Sequence, residues 1–429
     1  MKRRKLIKTL GKASLVAYAI PTFIPNSVFG ANDRLRIAVL GVNGRGQNHI
    51  AGFMEQNNVE VATLCDPDQN ISGIRAKEFE KKYGKKVSTE QDLRKVYEDK
   101  SIDAVSIATP NHWHALAAIW ACQAGKDVYV EKPACHTIWE GQQLVAAAKK
   151  YKRIVQHGVQ LRSSESIQEA IQHLRDGLIG NVYMARGTVY KWRPSIGDKG
   201  NSKVPAGLDW NLWQGPAKQR EFSENYVHYN WHWFWDYGNG DIGNQGIHET
   251  DLAMWGLDVG LPDEITSAGG KYLWKDCKET PELLTSTYNY TKEGKVIEFE
   301  VRPWMTNLED GVGVGNMFYG DKGYMVINGY ADYKTFLGRE REPGPSGKAG
   351  GDHYKNFVEA VRAQDYVHLN GPIETGYKSS ALAHLGNIAY RLKRRLDFDP
   401  ITEKFKGDAE ANAMLKRDDR KPFAVPKIV

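Results

Sequence analysis

Two side chains in this sequence could take part in catalysis, an amine at a predicted strand end and an imidazole on a predicted helix. The amine is that of Lys132. It follows the largely apolar run 127–131 and precedes Pro133, a pattern that predicts a short strand with an amine at its end. Ligands of open α/β sheets bind beyond the carboxyl ends of the strands, so this amine is placed to reach one. The alternative is a solvated lysine beside a proline that stops the strand.

The second is His248, which lies four residues after Asn244 in the segment 238–251. On a helix this spacing places both side chains on one face. An imidazole can relay a proton near neutral pH, whereas an asparagine amide cannot ionise and can only orient a neighbour. We therefore predict a catalytic set of Lys132, His248 and Asn244. The alternative is a capped helix start with His248 packed in the core.

A glycine-rich turn about ninety residues before Lys132 fits a phosphate-binding loop. Its first and third glycine positions hold glycine, and asparagine, which tolerates left-handed conformations, replaces the second. The helix after such a loop points its N-terminus at a pyrophosphate. The loop residues that we assign to cofactor binding are Gly41, Asn43, Gly44, Arg45 and Gly46.

Two further strand ends extend this cofactor prediction. Asp66 follows Gly41 by 25 residues, and an acid there bonds both ribose hydroxyls and repels a 2′-phosphate, which favours NAD while NADP stays possible. Two histidines in the segment 109–114 are too few for a metal site, and we expect no metal. We assign cofactor contacts at these strand ends to Asp66, Thr109, Pro110, Asn111, His112, Glu131 and Lys132.

Aromatic residues are concentrated between positions 210 and 237. Aromatic faces stack on the C–H surfaces of sugars, and Tyr, Trp and His edges bond hydroxyl groups. The alternative is a hydrophobic core or an oligomer interface, both of which favour the same residues. We predict a sugar site formed by Trp210, Tyr229, His232, Trp233, Asp241, Asn244 and His248.

The elements that must position these residues fall into two groups. From Leu35 to Val159, apolar strands alternate with helices, which predicts a doubly wound parallel sheet. After Ser163 the β-rich segments 265–274, 284–290, 296–301 and 324–327 alternate in polarity, which predicts a large, mostly antiparallel sheet. We place an N-terminal nucleotide-binding domain at 31–160 and a C-terminal α/β domain at 161–429.

Residues 1–30 are predicted to be an export signal of the twin-arginine type. They contain Arg3, Arg4 and four lysines but no acid, followed by a short apolar stretch, the order of an n-region and an h-region. A basic amphipathic helix is the alternative. Without them the chain has 52 basic and 52 acidic residues, so charge gives no argument for a nucleic-acid partner. No later stretch approaches the ~20 apolar residues of a membrane span.

These motifs together resemble the family of glucose–fructose oxidoreductase, inositol dehydrogenase and MocA. The resemblance rests on the glycine loop, Asp66, the Thr-Pro-Asn-His segment at 109, Glu-Lys-Pro at 131 and Gly-x-His-x-x-Asp at 246. It implies a Rossmann domain, a second domain with an open sheet, often used for oligomerisation, and a homodimer or homotetramer. Lys132 would match the active-site lysine and His248 the proton-transferring histidine. Where the family often has an aspartate, this chain has Asn244.

The resemblance implies hydride exchange between a nicotinamide and a sugar or polyol. Our leading hypothesis is a periplasmic NAD(P)-dependent oxidoreductase acting on a ring hydroxyl of a sugar or glycoside, with its cofactor tightly bound because that compartment offers no free nicotinamide pool. A second hypothesis is an NAD-dependent glycosidase or lyase that works through transient oxidation. A third is a non-catalytic sugar-binding protein that retained the fold, as the altered Asn43 and Asn244 permit.

Overall fold

The structure, a computed structural model, describes residues 34–304, 307–427 and 429. The predicted export signal lies outside the described residues. The first sheet has six parallel strands, β1 Leu35–Leu40, β2 Val59–Cys65, β3 Ser88–Glu90, β4 Ala104–Ile107, β5 Asp127–Val130 and β6 Val155–His157. Their order across the sheet is β3-β2-β1-β4-β5-β6, the doubly wound order in which dinucleotides bind at the point of reversal.

Five helices cover the two faces of this sheet: α1 Gly46–Met54, α2 Gln69–Tyr83, α3 Leu93–Glu98, α4 Asn111–Gln123 and α5 Ile138–Tyr151. The central strands β4 and β5 are buried at every position, as expected for a parallel sheet covered on both sides. Asp68 begins α2 by accepting a hydrogen bond from the Asn70 backbone N–H. This cap fixes the start of α2 next to the end of β2.

The second sheet has ten strands in the order β14-β13-β12-β11-β7-β10-β9-β8-β15-β16. Every pairing is antiparallel except that of β7 with β10. In β9, alternate residues are buried, the pattern of a sheet with one covered face. The strands are β7 Val182–Tyr190, β8 Glu264–Gly270, β9 Leu283–Tyr290, β10 Lys295–Arg302, β11 Val314–Gly320, β12 Gly323–Asn328, β13 Asp332–Leu337, β14 Glu342–Lys348, β15 Leu396–Asp399 and β16 Lys404–Phe405.

Several helices of the second half pack on one face of this sheet, whereas the helix His353–Ala363 packs against α1 and the core of the first sheet. Helix α6 buries Ile167, Ala170, Ile171 and Leu174, which repeat at helical spacing and form one apolar stripe. The helices are α6 Glu165–Arg175, α7 Trp210–Gln214, α8 Gly240–Gly243, α9 Gly246–Leu257, α10 His353–Ala363, α11 Ile373–Leu392 and α12 Ala409–Ala413. Helix α11 contacts both α5 and α9, so it joins the two halves.

The fold class predicted from the sequence is confirmed, with a parallel doubly wound sheet followed by a mostly antiparallel one. Some boundaries differ: β8 ends at Gly270, before the predicted Trp274. The strand pattern missed β3, β11, β13, β15 and β16. It also missed β14, which pairs only with β13 at the sheet edge. Among the described residues, no helix is both long and apolar enough to cross a membrane.

Candidate active site

The glycine loop between β1 and α1 is tightly packed at its ends and open in its middle. Gly41 has a φ of 80°, and a Cβ there would lie 2.7 Å from the backbone of Ala108. A Cβ on Gly46 would collide with the Gly41 carbonyl oxygen, whereas one on Gly44 would meet nothing within 4 Å. Helix α1 has no side-chain cap, so its N-terminal N–H groups can bind an anion. The loop therefore fits a pyrophosphate.

Asp66 stands at the end of β2 and faces the same cleft. Its carboxylate accepts hydrogen bonds from the Val42 N–H at 2.9 Å and the Asp68 N–H at 3.0 Å. Burial raises the pKa of Asp66, and these two N–H groups oppose that effect. The remaining lone pairs of the carboxylate can bond ribose hydroxyls, which fits the predicted role.

Glu131 forms the centre of a hydrogen-bond cluster in the wall of the cleft. Its Oε1 accepts from Arg45 Nε at 2.8 Å and Gln160 Nε2 at 3.0 Å, and lies 3.1 Å from His49 Nε2. Burial opposes its charge, yet Arg45 and His49 hold the pKa of Glu131 well below its usual range. Glu131 thus anchors Arg45 at the start of α1. Asn43 lies in the glycine loop between β1 and α1, where its backbone carbonyl oxygen accepts a hydrogen bond from the Gln47 side chain.

A cavity of about 280 Å³ runs along this cleft between the two halves of the chain. Thirteen of the predicted site residues line it, together with His114. Gly46, His112, Trp210, Trp233, Asp241 and His248 do not line it. The fourteen are Gly41, Asn43, Gly44, Arg45, Asp66, Thr109, Pro110, Asn111, His114, Glu131, Lys132, Tyr229, His232 and Asn244.

Lys132 joins the two halves at the end of this cavity. Its Nζ donates to the carbonyl oxygen of Asn244 at 2.9 Å and to Oδ1 of the same residue at 3.2 Å. An ammonium group has three donors, so one remains for a ligand. Burial lowers the pKa of Lys132 from its ordinary value, while the charge of Glu131 opposes this. The amine is therefore held in place but can still donate.

Asn244 lies between α8 and α9 rather than on a helix. Its φ of −101° and ψ of −90° break the helical path, and α9 begins only at Gly246. The argument that Asn244 and His248 share a helix face is therefore wrong. The break leaves the Asn244 carbonyl outside the helical hydrogen-bond ladder, which frees it to accept from Lys132.

His248 is buried in the first turn of α9. Its Nδ1 has no hydrogen-bond partner among the described residues, and its ring lies 4.8 Å from the ring of Tyr330. Burial, and then the charge of Lys132, hold the pKa of His248 well below its ordinary value. The imidazole is neutral at neutral pH and can accept a proton.

Three of the residues predicted for a sugar site meet at Arg193, which the sequence analysis did not select. Asp241 receives two hydrogen bonds from Arg193, at 2.7 and 2.8 Å, and Tyr229 receives one at 3.1 Å. The guanidinium lies 5.4 Å from the centre of the Trp233 ring. Although burial opposes its charge, Asp241 raises the pKa of Arg193. Asp241 and Trp233 thus hold Arg193 next to the exposed Tyr229.

Three other predicted residues pack among aromatic neighbours. Trp210 stacks on Trp213 with ring centres 4.7 Å apart and belongs to a buried aromatic cluster. His112 Nε2 lies 2.9 Å from the Trp213 carbonyl oxygen, and burial lowers the pKa of His112 to about 3. His232 lines the cavity and stacks on Trp231 at 3.6 Å. Only His232 of these three contacts the cleft.

A further polar chain beside His248 escaped the sequence analysis. Gln245 donates to the Tyr330 hydroxyl at 2.8 Å and to Glu249 Oε1 at 3.4 Å, and Lys191 donates to Gln245 at 3.4 Å. Burial raises the pKa of Glu249 to about 8. The i,i+4 spacing of Gln245 and Glu249 was a detectable signal, whereas Lys191 and Tyr330 come from distant segments.

Among the residues that the structure describes, no three His, Cys, Asp or Glu side chains are grouped so that they could hold a metal ion. A fixed amine can stabilise a developing alkoxide, and a neutral imidazole can take a proton. This combination suits removal or delivery of a hydride at a carbon that bears a hydroxyl group.

Two family models match this chain. Residues 35–159 match the family model of an oxidoreductase family with an NAD-binding Rossmann fold. Residues 165–266 and 345–425 match the model of that family's C-terminal α/β domain. Together the two models cover most of the chain.

One curated relative spans most of the chain. A glycosyl hydrolase family 109 protein from Saccharopolyspora erythraea is 23% identical over 395 residues, which cover 82% of this chain and 79% of that protein. Seven further curated relatives align over only 27 to 53% of their own length.

Solved structures share the fold. The WlbA dehydrogenase from Bordetella pertussis, in complex with NADH and UDP-GlcNAcA, has a TM-score of 0.64 at 20% identity and covers 85% of this chain and 99% of its own. A levoglucosan dehydrogenase, in complex with NADH and levoglucosan, has a TM-score of 0.65 at 18% identity. The match covers 85% of this chain and 99% of the levoglucosan dehydrogenase.

Proposed function

Because the chain belongs to the Gfo/Idh/MocA oxidoreductase family, we propose that it transfers hydride between NAD and a ring hydroxyl of a sugar or glycoside. The observation that carries this proposal is the position of Lys132. Its amine lies at the end of the dinucleotide cleft, fixed by Asn244 from the second half of the chain, with one donor free. The complexes of two structural relatives, with UDP-GlcNAcA and with levoglucosan, support a sugar substrate.

The chain's own residues fit NAD. The uncapped start of α1 and the open space at Gly44 suit a pyrophosphate, and Asp66 suits an unmodified ribose and repels the extra phosphate of NADP. When bound, NAD accepts or returns the hydride. We propose that the cofactor stays bound through turnover.

In this proposal Lys132 and His248 divide the remaining work. The Lys132 ammonium donates to the reacting oxygen and stabilises negative charge there. The neutral His248 imidazole takes the hydroxyl proton as the C–H bond breaks. Asn244 cannot accept a proton, so its part is to position Lys132. Arg193, held by Asp241, and the exposed Tyr229 are placed to contact sugar hydroxyls.

We further propose that the protein works in the periplasm as a homodimer or homotetramer. The support for location is the twin-arginine-type pattern of residues 1–30, and that for assembly is family resemblance. That export route carries folded proteins, so the cofactor would be loaded before export and then recycled by a second substrate.

The test has two parts. The purified exported protein is denatured and the released nucleotide is identified by mass, and the native protein is then screened with a panel of glycosides for a nicotinamide absorbance change. We expect NAD and at least one sugar that responds. Lys132→Ala should lose activity by about two to three orders of magnitude, while Lys77→Ala, on the exposed face of α2, should not. Absence of any nucleotide would contradict the proposal.

A second candidate function is an NAD-dependent glycosidase that oxidises its substrate transiently and then restores it. Two observations favour it: Asn244 stands where an acid is common in the family, and one relative bears the name of a glycosyl hydrolase family. Release of a sugar from a glycoside with no net change in cofactor redox state would identify this function. Net accumulation of NADH would identify the dehydrogenase.

A further inference from the structure

Residues 205–209 belong to the second half of the chain in sequence but lie on the nucleotide-binding half. The Asp209 N–H donates to the Pro67 carbonyl at 2.8 Å, and the Gln69 N–H donates to the Gly207 carbonyl at 2.9 Å. Asp68 and Leu208 form an antiparallel bridge. The segment is thus tied by backbone hydrogen bonds to the turn that follows β2.

Two side chains of the nucleotide-binding half strengthen this attachment. Asn70 Nδ2 donates to the Ala206 carbonyl at 2.7 Å, and Gln91 Nε2 donates to the Gly207 carbonyl at 3.2 Å. Gly207 has a φ of 90°, and a Cβ there would lie 2.6 Å from Asn70 Nδ2. The close fit allows only glycine at this position.

The attachment is at the Asp66 end of the cleft, where the adenosine ribose of a dinucleotide would bind. Pro67 and Gln91 line the cleft next to Asp66, and His228 and Trp231 line it from the second half of the chain. His228 Nε2 lies 3.1 Å from Asp68 Oδ2, which adds a contact across the same end. The cleft therefore has walls from both halves where the adenosine would lie.

We propose that residues 205–209, which do not line the cleft themselves, form a clasp: they tie the wall that carries Leu212 and Trp213 to the turn after β2, and must detach before the dinucleotide can enter or leave. The inference rests on the proposed function and supplies a reason for a permanently bound cofactor. Attachment depends on hydrogen bonds between neutral groups. Loss of one such bond shifts the equilibrium between the attached and the detached clasp about fivefold. The clasp is then a kinetic barrier to both release and binding.

The experiment measures nucleotide exchange rather than turnover. Protein loaded with NADH is mixed with excess NAD and the decay of bound-NADH fluorescence gives the release rate, while stopped-flow mixing of the emptied protein with NADH gives the association rate. For Asn70→Ala and Gln91→Ala we expect both rates to rise about fivefold, and for the double variant about 25-fold. The dissociation constant of Asn70→Ala, whose side chain does not line the cleft, should change less than twofold.

Asn201→Ala is the matched control. Its amide lies on the exposed stretch just before the clasp and bonds Glu221 rather than the nucleotide-binding half, so both rates should stay unchanged. An unaltered release rate in the double variant, or faster release with unchanged association, would overturn the clasp while the proposed function stands. Failure of the protein to bind any dinucleotide would overturn both.

Discussion

At the scale of single residues, the site is organised around an amine whose acceptor is neutral. Lys132 Nζ donates to the carbonyl and side-chain oxygens of Asn244, and burial lowers its pKa. A carboxylate at position 244 would favour the charged amine, as an opposite charge within about 4–6 Å does. The asparagine therefore keeps the amine closer to losing its proton than an aspartate would.

Asn244→Asp tests this argument. We expect the pKa of Lys132 to rise, so that the alkaline limb of the pH profile of kcat/KM moves to higher pH by about one unit or more. The profile is measured with the sugar identified in the activity screen. Asn244→Ala is the control, since it removes Oδ1 but keeps the carbonyl acceptor and adds no charge. Superimposable profiles for the wild-type protein and Asn244→Asp would contradict the argument.

Glu249 gives a second residue-scale prediction because burial raises its pKa to about 8. Between pH 4.5 and 8 this carboxyl is ionised in the unfolded chain but protonated in the folded one, so it lowers stability as pH rises. Glu249→Gln removes that ionisation. We expect its free energy of unfolding to exceed that of the wild-type protein by about 1–3 kcal/mol at pH 8, with a smaller gain at pH 5.

Denaturant unfolding at pH 5 and pH 8 measures both values. Glu359→Gln, on the exposed face of α10, is the control and should change stability by less than about 0.5 kcal/mol at either pH. A gain from Glu249→Gln that is the same at both pH values would show that ionisation of Glu249 is not its cause.

Residues of the site that follow a strand could be identified from the sequence more readily than residues that irregular segments bring to the site. Lys132 and Asp66 could be placed because each follows an apolar strand, and such ends share one edge of a parallel sheet. Arg193 and Tyr330 could not, because they come from irregular segments without periodicity and their contacts with Asp241 and Gln245 span 48 and 85 residues.

At the scale of elements, the connection from β1 to α1 ends in two glycines, Gly44 and Gly46, that look alike in sequence but differ in their surroundings. A Cβ on Gly46 would collide with the Gly41 carbonyl and force α1 away from β1, whereas Gly44 has open space. We expect Gly46→Ala to lower the free energy of unfolding by about 2 kcal/mol or more. Gly44→Ala should leave it unchanged or slightly higher. Thermal and denaturant unfolding compare them, and equal losses would contradict this account of the loop.

Secondary structure was predicted correctly where a strand is mostly apolar. It was missed where a strand forms by pairing with a neighbour although its composition is typical of a turn. The strands β1, β2, β4 and β5 are mostly apolar and largely buried, as expected of a parallel sheet that is covered on both faces. Strand β14 contains Pro343 and Pro345 among glycines, a composition that predicts a turn. It forms because it lies at the sheet edge beside β13, where proline is tolerated.

At the scale of the whole molecule, burial of histidines couples folding to pH. Burial lowers the pKa of nine described histidines, and for five of these the pKa falls to about 3 or about 4: His112, His157, His232, His353 and His384. They lie in both halves of the chain and at the contact between them. The unfolded chain binds protons at these groups near pH 6.5, whereas the folded chain does not until much lower pH.

Stability must therefore fall as pH decreases from 7 towards 4, because the unfolded state binds more protons throughout that window. Each such histidine contributes a slope of up to about 1.4 kcal/mol per pH unit, and five together outweigh the opposite slope from Glu249. We expect the free energy of unfolding from denaturant titrations to peak between pH 6 and 7 and to drop steeply by pH 5. His384→Gln should reduce the acid slope, and His368→Gln, at an exposed position, should not. A flat profile from pH 7 to 5 would mean that these histidines become protonated inside the folded protein.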